Sequence, residues 1–232
     1  MKTLVYQYYK TPEVVTKNYI QTKEKYYTLS EKSIKKYAHK IGADYKLLSG
    51  DLPYNLPPFF GIFQPFFEGW VNDYDKICFI DSDILATINS DDIFKATPDD
   101  CLSANFMKTH SRMSRLSLRD NNFKYWKNKG HINSGVVVIP QSEYADLLKY
   151  LGDVESIFDT NDTVYTSLGN FDQAFVNYYV RHVDRYYDLP PKFNYHLSRE
   201  DHSKRFEQDF IHYHRKNKEM MFEDIKRDII LK

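Results

Sequence analysis

Two aspartates stand directly behind an apolar run, in the segment ICFIDSDIL at residues 77–85. Side chains alternate along a strand with a period of two, so Asp81 and Asp83 are expected to point the same way, with Ser82 opposite. Two neighbouring carboxylates repel each other unless a positive charge lies between them. A divalent cation meets that need, and carboxylate oxygens suit Mg²⁺, Ca²⁺ or Mn²⁺. The spacing therefore predicts a metal clamp at the end of a strand.

Two other interpretations of this tripeptide stay open. Asp-Ser-Asp is also common as a solvated turn that caps the next segment. The pattern is similar to haloacid-dehalogenase-like phosphatases as well, which use the first aspartate, here Asp81, as a nucleophile. Those enzymes normally continue with Gly-Thr near the start of the chain, whereas Ile84-Leu85 follows here, about eighty residues in. That departure makes the phosphatase the weaker interpretation.

Strands and helices must position these groups. The apolar periodicity predicts strands over residues 3–9, 44–49, 76–81, 101–106 and 132–140. It predicts helices over residues 12–41, 59–74, 90–95, 142–152, 171–180 and 219–230, with Ser90 as the N-cap of the third. This alternation indicates an α/β fold with a mostly parallel central sheet covered by helices on both faces. Ligands of such sheets bind outside the carboxyl ends of the strands, where Asp81 and Asp83 are expected.

Composition limits the classes of function. The chain has 232 residues, no formal net charge, a pI near 7.1 and two cysteines. Its length fits one α/β domain, and its neutral balance argues against nucleic acid as a partner. Two cysteines, of which Cys78 lies in the apolar run, cannot form a disulfide framework. With no signal peptide pattern and no apolar run near the ~18 residues of a membrane span, a cytoplasmic protein is expected.

A basic segment separates the two halves of the chain. Residues 107–130 carry seven Lys or Arg and one acidic residue. The first interpretation is a solvated excursion. A second is a lid over a diphosphate or an anionic glycan, with Tyr125 or Trp126 stacked on a sugar. Peripheral contact with an anionic membrane surface, or with nucleic acid, is a third.

Six motifs in order resemble glycosyltransferase family 8, the group of glycogenin and bacterial lipooligosaccharide galactosyltransferases. They are YDKICFIDSDILAT (74–87), INSDDIF (88–94), INSGVVVIP (132–140), NFDQAFVN (170–177), LPPKFNYH (189–196) and IHYHRKNK (211–218). Each motif is weak alone, and the ordered series is more specific. The resemblance implies one GT-A domain, a Rossmann-like α/β fold, over residues 1–232. Its nucleotide-binding half would be residues 1–106, and its sugar and acceptor half residues 107–232.

The resemblance also implies an activity: metal-dependent transfer of a sugar from a nucleotide-sugar, a UDP-sugar by expectation, with retention of configuration. The implied acceptor is a glycan, a glycolipid or a glycoprotein, and the implied cofactor is Mn²⁺ or Mg²⁺. Asp81, Asp83 and His212 would bind the metal. The implied donor-binding residues are residues 6–9 by the uracil, with Tyr6 and Tyr8 foremost, Asp81 by the ribose, Asn133, Ser134 and Gly135 in the sugar pocket, and Lys218 on the diphosphate. Ser82, between the two aspartates, is also assigned to donor binding.

Asp172 and Gln173 would lie beside the anomeric carbon. A histidine in the metal shell favours Mn²⁺ over an all-oxygen site for Mg²⁺ or Ca²⁺. No carboxylate in the sequence is recognisable as a displacement nucleophile. Front-face attack by the acceptor hydroxyl is therefore expected, with Asp172 or Gln173 stabilising the cationic sugar. His131 and His196 are assigned no role. His214 is left out because a strand is expected to point it away from the site.

Several departures from the family pattern concern phosphate binding. Arg215 stands where the family has glycine, Glu219-Met220 replaces its Pro-Trp, and its lysine ahead of the D-x-D strand has no clear counterpart. Two further classes remain as alternatives. A nucleotidyltransferase shares the fold, but TLVYQYYKTPE lacks its glycine-rich loop. An inactive nucleotide- or glycan-binding module would keep the site without turnover.

Overall fold

The computed structural model describes residues 1–10, 17–53, 56, 58–107, 131–152 and 171–232. The strands within these ranges are β1 (Thr3–Tyr8), β2 (Asp44–Leu48), β3 (Lys76–Ile80), β4 (Ile84–Ala86), β5 (Ser103–Met107), β6 (His131–Pro140), β7 (Tyr187–Asp188), β8 (Tyr195–His196) and β9 (Phe210–His212). The α-helices are α1 (Lys17–Ile41), α2 (Gln64–Phe67), α3 (Tyr144–Gly152), α4 (Phe171–Val183) and α5 (Met221–Asp224).

A six-stranded sheet forms the centre, in the order β2-β1-β3-β6-β5-β7. Only β6 runs against its neighbours, so five of the six strands point the same way. Strands β1 and β3 are buried along their whole length, which explains why both read as almost uninterrupted apolar runs. The predicted mostly parallel sheet is confirmed.

Helices cover both faces of this sheet. On one face, Ile34 and Tyr37 of α1 pack in one cluster with Val5 and Cys78. On the other face, α3 and α4 pack in a second cluster that contains Leu4 and Phe79, together with residues 60–66. Successive strand residues thus enter opposite cores, as the period of two requires. The predicted helix cover on both faces is confirmed.

A second, three-stranded sheet in the order β4-β9-β8 lies beside the first, and the sequence did not indicate it. Strand β4 follows the D-x-D turn directly and pairs antiparallel with β9, in a register that sets Ile84 opposite His212. This register brings the carboxyl end of β9 to the carboxyl end of β3. The small sheet therefore carries His212 to the two aspartates.

Three predicted helices are wrong in extent or type. The segment 59–74 contains only α2, flanked by 3₁₀ turns, and Gly69 has the left-handed φ of 78° that ends it. Residues 90–95 form turns, because the Ser90 hydroxyl donates to the carbonyls of Thr87 and Asp209 rather than capping a helix. The C-terminal helix ends at Asp224, since the following residues bond to the backbone beside β4.

Candidate active site

The D-x-D segment is a turn between the two sheets, anchored on both sides. The Asp81 N–H donates to the Gly135 carbonyl of β6 at 2.8 Å, and the Tyr213 N–H donates to the Asp83 carbonyl at 2.9 Å. Both carboxylates face His212, whose Nε2 lies 3.1 Å from Asp83 Oδ1 and 4.0 Å from Asp81 Oδ2. The aspartates converge, as the sequence predicts, although they do so from a turn rather than a strand.

A chain of amide contacts orients His212. The Gly135 N–H and Asn194 Nδ2 both donate to Asn133 Oδ1, at 2.9 and 2.8 Å. The other end of the Asn194 amide, Oδ1, therefore accepts from His212 Nδ1 at 2.8 Å. With Nδ1 held in this way, His212 Nε2 is directed at the carboxylates. Metal-binding histidines in proteins are oriented by the same kind of partner on the second ring nitrogen.

The donor set fits a divalent cation. Asp81, Asp83 and His212 each offer one ligand atom, and these atoms lie within 4.8 Å of one another. Asp83 Oδ1 and His212 Nε2 are buried 3.1 Å from each other, and neither atom has another polar partner among the described residues. Buried polar atoms are costly without a partner, and a cation between them would satisfy both at once. Two carboxylates and one imidazole suit Mn²⁺ and accept Mg²⁺.

The charges around Asp83 are strongly coupled. Lys218 Nζ lies 2.7 Å from Asp83 Oδ2. Burial alone would raise the pKa of Asp83, but the charges of His212 and Lys218 outweigh it and hold that pKa well below its usual value. Burial alone would lower the pKa of His212, yet the charge of Asp83 and its hydrogen bond raise it. Any proton on His212 Nε2 has to leave before that nitrogen can bind a cation.

Asp81 differs from its neighbour. Burial first, and then the charge of Asp83, raise the pKa of Asp81, although His212 and Lys218 act in the opposite direction. The Asp81 side chain is 46% exposed, so solvent moderates this shift. A cation between the two carboxylates would relieve the repulsion that raises the pKa of Asp81.

The far wall of the cavity carries Asp172 and Gln173 at the start of α4. Asn177, one helical turn beyond Gln173, holds this helix to β6: its Oδ1 accepts from the Ile132 N–H at 2.8 Å, and its Nδ2 donates to the Ile132 carbonyl at 2.9 Å. Asn133 Nδ2 also donates to Gln173 Oε1 at 3.4 Å. The D-Q-x-x-x-N spacing thus has a structural reason, because Asn177 fixes the helix that presents Asp172 and Gln173.

The surroundings of Asp172 raise its pKa, whereas the surroundings of Asp83 lower the pKa of that carboxyl. Burial raises the pKa of Asp172 to about 6, a hydrogen bond from Ser134 acts in the opposite direction, and the charge of Asp81 adds to the rise. Among the described residues, the largest influences on the pKa of Asp172 include no lysine, arginine or histidine. This carboxylate is charged at neutral pH without a cation among those groups, which is typical of a functional site.

These groups line one cavity of ≈ 640 Å³. Of the predicted site residues, the cavity wall includes Tyr8, Asp81, Ser82, Asp83, Asn133, Ser134, Gly135, Asp172, Gln173, His212 and Lys218. A side chain at position 135 would not fit, since a Cβ there would lie 2.6 Å from His212 Cε1. The structure thus brings together every individually predicted site residue except Tyr6.

Tyr6 is the exception and corrects the prediction. Its side chain is fully buried in the core, and its hydroxyl donates to the Ile62 carbonyl at 2.5 Å. It shares a strand face with Tyr8, but Tyr8 stands at the end of β1 and Tyr6 lies deeper in the sheet, where it contacts Phe79 edge-on. The period of two predicts the shared face but not the depth of each residue.

The sequence also missed several residues of the wall. Tyr27 lines the cavity and stacks on Tyr9, which was among the predicted residues 6–9, with ring centroids 4.2 Å apart. His131, His196 and His214 line it too. The expectation that His214 points away was wrong, because it lies two residues beyond His212 and the period of two returns it to the same side. Burial first, then the charges of His212 and His214, lower the pKa of His196 to about 2.

The basic segment lies outside the described residues beyond Met107, with Tyr125 and Trp126 in it. The lid and membrane-contact interpretations of that segment stay predictions. In the part of the chain that the structure describes, no helix combines the length and the hydrophobicity that crossing a bilayer requires.

Comparison with solved structures finds glycosyltransferases. The chain is similar to a glycosyltransferase involved in the glycosylation of the major capsid of PBCV-1, with a TM-score of 0.60 and 12% identity over 97% of this chain and 99% of that one. It is similar to the glycosyltransferase GlyE of Streptococcus pneumoniae TIGR4, with a TM-score of 0.54 and 16% identity over 98% of this chain and 61% of that one. It is also similar to mouse xyloside xylosyltransferase 1, with a TM-score of 0.51 and 10% identity over 91% and 97%.

Identities this low establish the fold alone. The chain has the α/β fold of glycosyltransferases, with a mostly parallel central sheet flanked by helices. No protein-family model matches the chain, and no curated protein matches its sequence.

Proposed function

We propose that this chain is a glycosyltransferase that moves a sugar from a UDP-sugar to a glycan, glycolipid or glycoprotein, with Mn²⁺ or Mg²⁺ and with retention of configuration. Membership of glycosyltransferase family 8 is part of this proposal, and it rests on the six ordered motifs. The solved structures that the chain resembles carry the name glycosyltransferase, which supports the class of reaction. The donor, the metal and the stereochemistry rest on the residues of the site.

One observation carries the proposal: the convergence of Asp81, Asp83 and His212 on a common point at the edge of the cavity. Asp83 Oδ1 and His212 Nε2 are buried there with only each other as polar partners among the described residues. Loss of a nucleoside diphosphate builds negative charge on its oxygens. A bound divalent cation would neutralise that charge as it develops. The three side chains supply the ligands that such a cation needs.

The remaining residues then take the following roles. Lys218 forms an ion pair with Asp83, beside the proposed metal ligands. From there its ammonium group would bind the diphosphate of a bound donor. Asn133, Ser134 and Gly135 form the wall for the donor sugar, and Tyr8 lies at the nucleotide end of the cavity. Asp172 and Gln173 would face the anomeric carbon, where a carboxylate stabilises a cationic sugar. The acceptor hydroxyl attacks from the face that the diphosphate leaves.

Release of UDP from a panel of UDP-sugars tests the proposal. The purified chain is assayed with Mn²⁺, with EDTA and as Asp83→Ala, and the exposed Asp228→Ala serves as the matched control. We expect release from one donor with Mn²⁺ and with the control variant, and none with EDTA or with Asp83→Ala.

The other outcomes separate the alternatives. UDP binding without release from any donor, with or without acceptors, would favour a nucleotide-binding module. Absence of both binding and release would instead favour the phosphatase that uses Asp81, and a phosphate ester assay would then follow. A covalent sugar on a side chain of the trapped enzyme would contradict front-face attack.

A further inference from the structure

Three imidazoles meet at one corner of the cavity. They lie beside Asp81 and Asp83, which together with His212 form what we call the carboxylate clamp. His196, His212 and His214 each offer one ligand atom, and these atoms lie within 4.8 Å of one another. The ring centroid of His196 lies 4.6 Å from that of His212 and 5.1 Å from that of His214. No carboxylate belongs to this second group of three, although it shares His212 with the first.

The small sheet produces this arrangement. Strands β8 and β9 are parallel neighbours, and their register sets His196 directly beside His212. His214 follows His212 by two residues and so returns to the same side. The three rings are therefore brought together by strand pairing and by chain spacing, which fix backbone positions without any help from a ligand.

Two of the rings are already oriented by neighbours. Ser198 Oγ lies 2.8 Å from His196 Nδ1, and Asn194 Oδ1 lies 2.8 Å from His212 Nδ1. Both histidines are buried, with relative exposures of 4% and 2%. His212 Nε2 is a buried atom whose polar neighbours among the described residues are the carboxylates of Asp83 and Asp81. A polar neighbour on Nδ1 is the usual support of an imidazole that binds a metal through Nε2.

We propose that His196, His212 and His214 form a second metal position, which takes Zn²⁺. Imidazole nitrogens suit Zn²⁺, whereas Mg²⁺ and Ca²⁺ prefer oxygen. Three histidines and one open position are a known coordination of zinc, with Zn–N distances of ~2.0–2.1 Å. Tetrahedral ligands at that distance lie roughly 3.3 Å apart, so rotations of the side chains complete the site.

The two metal positions exclude each other. His212 Nε2 has one lone pair, and that lone pair binds one ion at a time. Zn²⁺ on the three histidines therefore removes the nitrogen ligand of the carboxylate clamp and weakens the binding of Mn²⁺ there. Zinc binding does not depend on the proposed function. Only its consequence, inhibition of the transferase by Zn²⁺, rests on it.

Zinc titration of the metal-free protein tests the site without nucleotide or sugar. Competition with a chromophoric zinc chelator gives the affinity of the wild type and of His214→Ala, His196→Asn, Asp83→Asn and the exposed His39→Asn. We expect the first two variants to lose at least ~10-fold in Zn²⁺ affinity, since loss of even a supporting neighbour costs that much. His39→Asn is expected to stay within about threefold of the wild type, and Asp83→Asn, which disables the competing carboxylate position, is expected to lose no Zn²⁺ affinity.

Two further readouts keep the test decisive. Co²⁺ in the wild type should show the intense visible absorption of tetrahedral nitrogen coordination, and His214→Ala should abolish it. Added Zn²⁺ should release Mn²⁺, seen as a rise of the free Mn²⁺ signal in electron paramagnetic resonance. Unchanged Zn²⁺ affinity in both folded histidine variants would overturn the proposal. Equal losses in Asp83→Asn and His214→Ala would overturn it as well, since they would indicate one mixed site.

Discussion

Asp83 and Asp172 are two carboxylates in the wall of one cavity, and their surroundings shift their pKa in opposite directions. His212 and Lys218 hold the pKa of Asp83 low, whereas burial raises the pKa of Asp172 to about 6. One end of the cavity thus balances its charge within the protein, and the other leaves a carboxylate without a cation among the groups that shift it. On the proposed function, the second end would meet the positive charge of the sugar in the transition state.

Asp83→Asn should have the largest effect on this difference between the Asp83 end and the Asp172 end of the cavity. It removes a metal ligand and the partner of His212 and Lys218, so Mn²⁺ affinity should fall at least ~100-fold, beyond the 10–100-fold typical of a supporting neighbour. Urea unfolding at pH 8 should show a loss of about 2–3 kcal/mol, the scale of a hydrogen bond to a charged group.

The sign with pH follows from the lowered pKa of Asp83. Its stabilising effect is present above the ordinary carboxyl pKa of ~3.9 and is lost as the pH falls below it. The difference between the wild type and Asp83→Asn should therefore stay nearly constant from pH 8 to about pH 4 and narrow as the pH falls further, toward about 2. A difference that stays constant down to about pH 2 would argue against the charge interaction of Asp83 with His212 and Lys218.

Gly135→Ala should also change the difference between the Asp83 end and the Asp172 end of the cavity, because Gly135 lies between the two ends. An added Cβ would lie 2.6 Å from His212 Cε1 and 2.9 Å from Asn133 Oδ1. We expect a loss of about 1–3 kcal/mol in stability, as for an overpacked core, together with weaker Mn²⁺ binding. Gly152→Ala is the matched control, since a Cβ there meets nothing within 4 Å. Equal stability of the two variants would show that His212 moves freely.

Asn194→Ala should sharpen the role of the amide chain. Its side chain joins Asn133 to His212 Nδ1, and without it the ring of His212 loses its orientation. Mn²⁺ affinity should fall by about 10–100-fold, the usual cost of removing such a neighbour. The exposed Asn89→Ala controls for general effects. Since Asn194 donates no ligand, unchanged Mn²⁺ affinity would mean that strand pairing alone positions His212.

Much of this site could be predicted from the sequence where chemistry and periodicity coincide. The D-x-D turn follows an apolar strand, and Asp172 and Gln173 start a helix with an evident apolar period. Gly135 interrupts the longest apolar strand, which is typical of a close approach to the backbone. In each case the residue type and the local element point to the same place, so no long-range contact was needed to find it.

The small sheet of β4, β9 and β8 could not be predicted from local patterns in the sequence. Strands β8 and β9 have two and three residues, too few for a period to be measured. The roles of Asn194, His196 and His214 follow from the pairing of these strands, which is a long-range property of the chain. Tyr6 was misplaced for a related reason, since depth in the sheet depends on where its neighbours end.

Asp172→Asn should have the smallest effect and the opposite sign to Asp83→Asn. The pKa of Asp172 is about 6 in the folded chain, above its ordinary value, so ionising this carboxylate costs stability. That cost is absent below the ordinary carboxyl pKa of ~3.9, grows as the pH rises toward 6 and is complete above about pH 7. Because the side chain partly reaches the cavity, we expect Asp172→Asn to gain only about 1–2 kcal/mol at pH 8.

Urea unfolding at pH 8 and pH 4 measures this gain, with the exposed Asp73→Asn as the control. The gain should vanish at pH 4, where the wild-type carboxyl is already neutral in the folded chain. A transferase assay in parallel should show lower activity for Asp172→Asn, because the amide cannot supply the negative charge that a cationic sugar requires. Greater stability together with lower activity would identify Asp172 as a group that the fold tolerates at a cost because the reaction uses it. A variant that is less stable than the wild type at both pH values would instead make Asp172 a structural residue, held by its bond to Ser134.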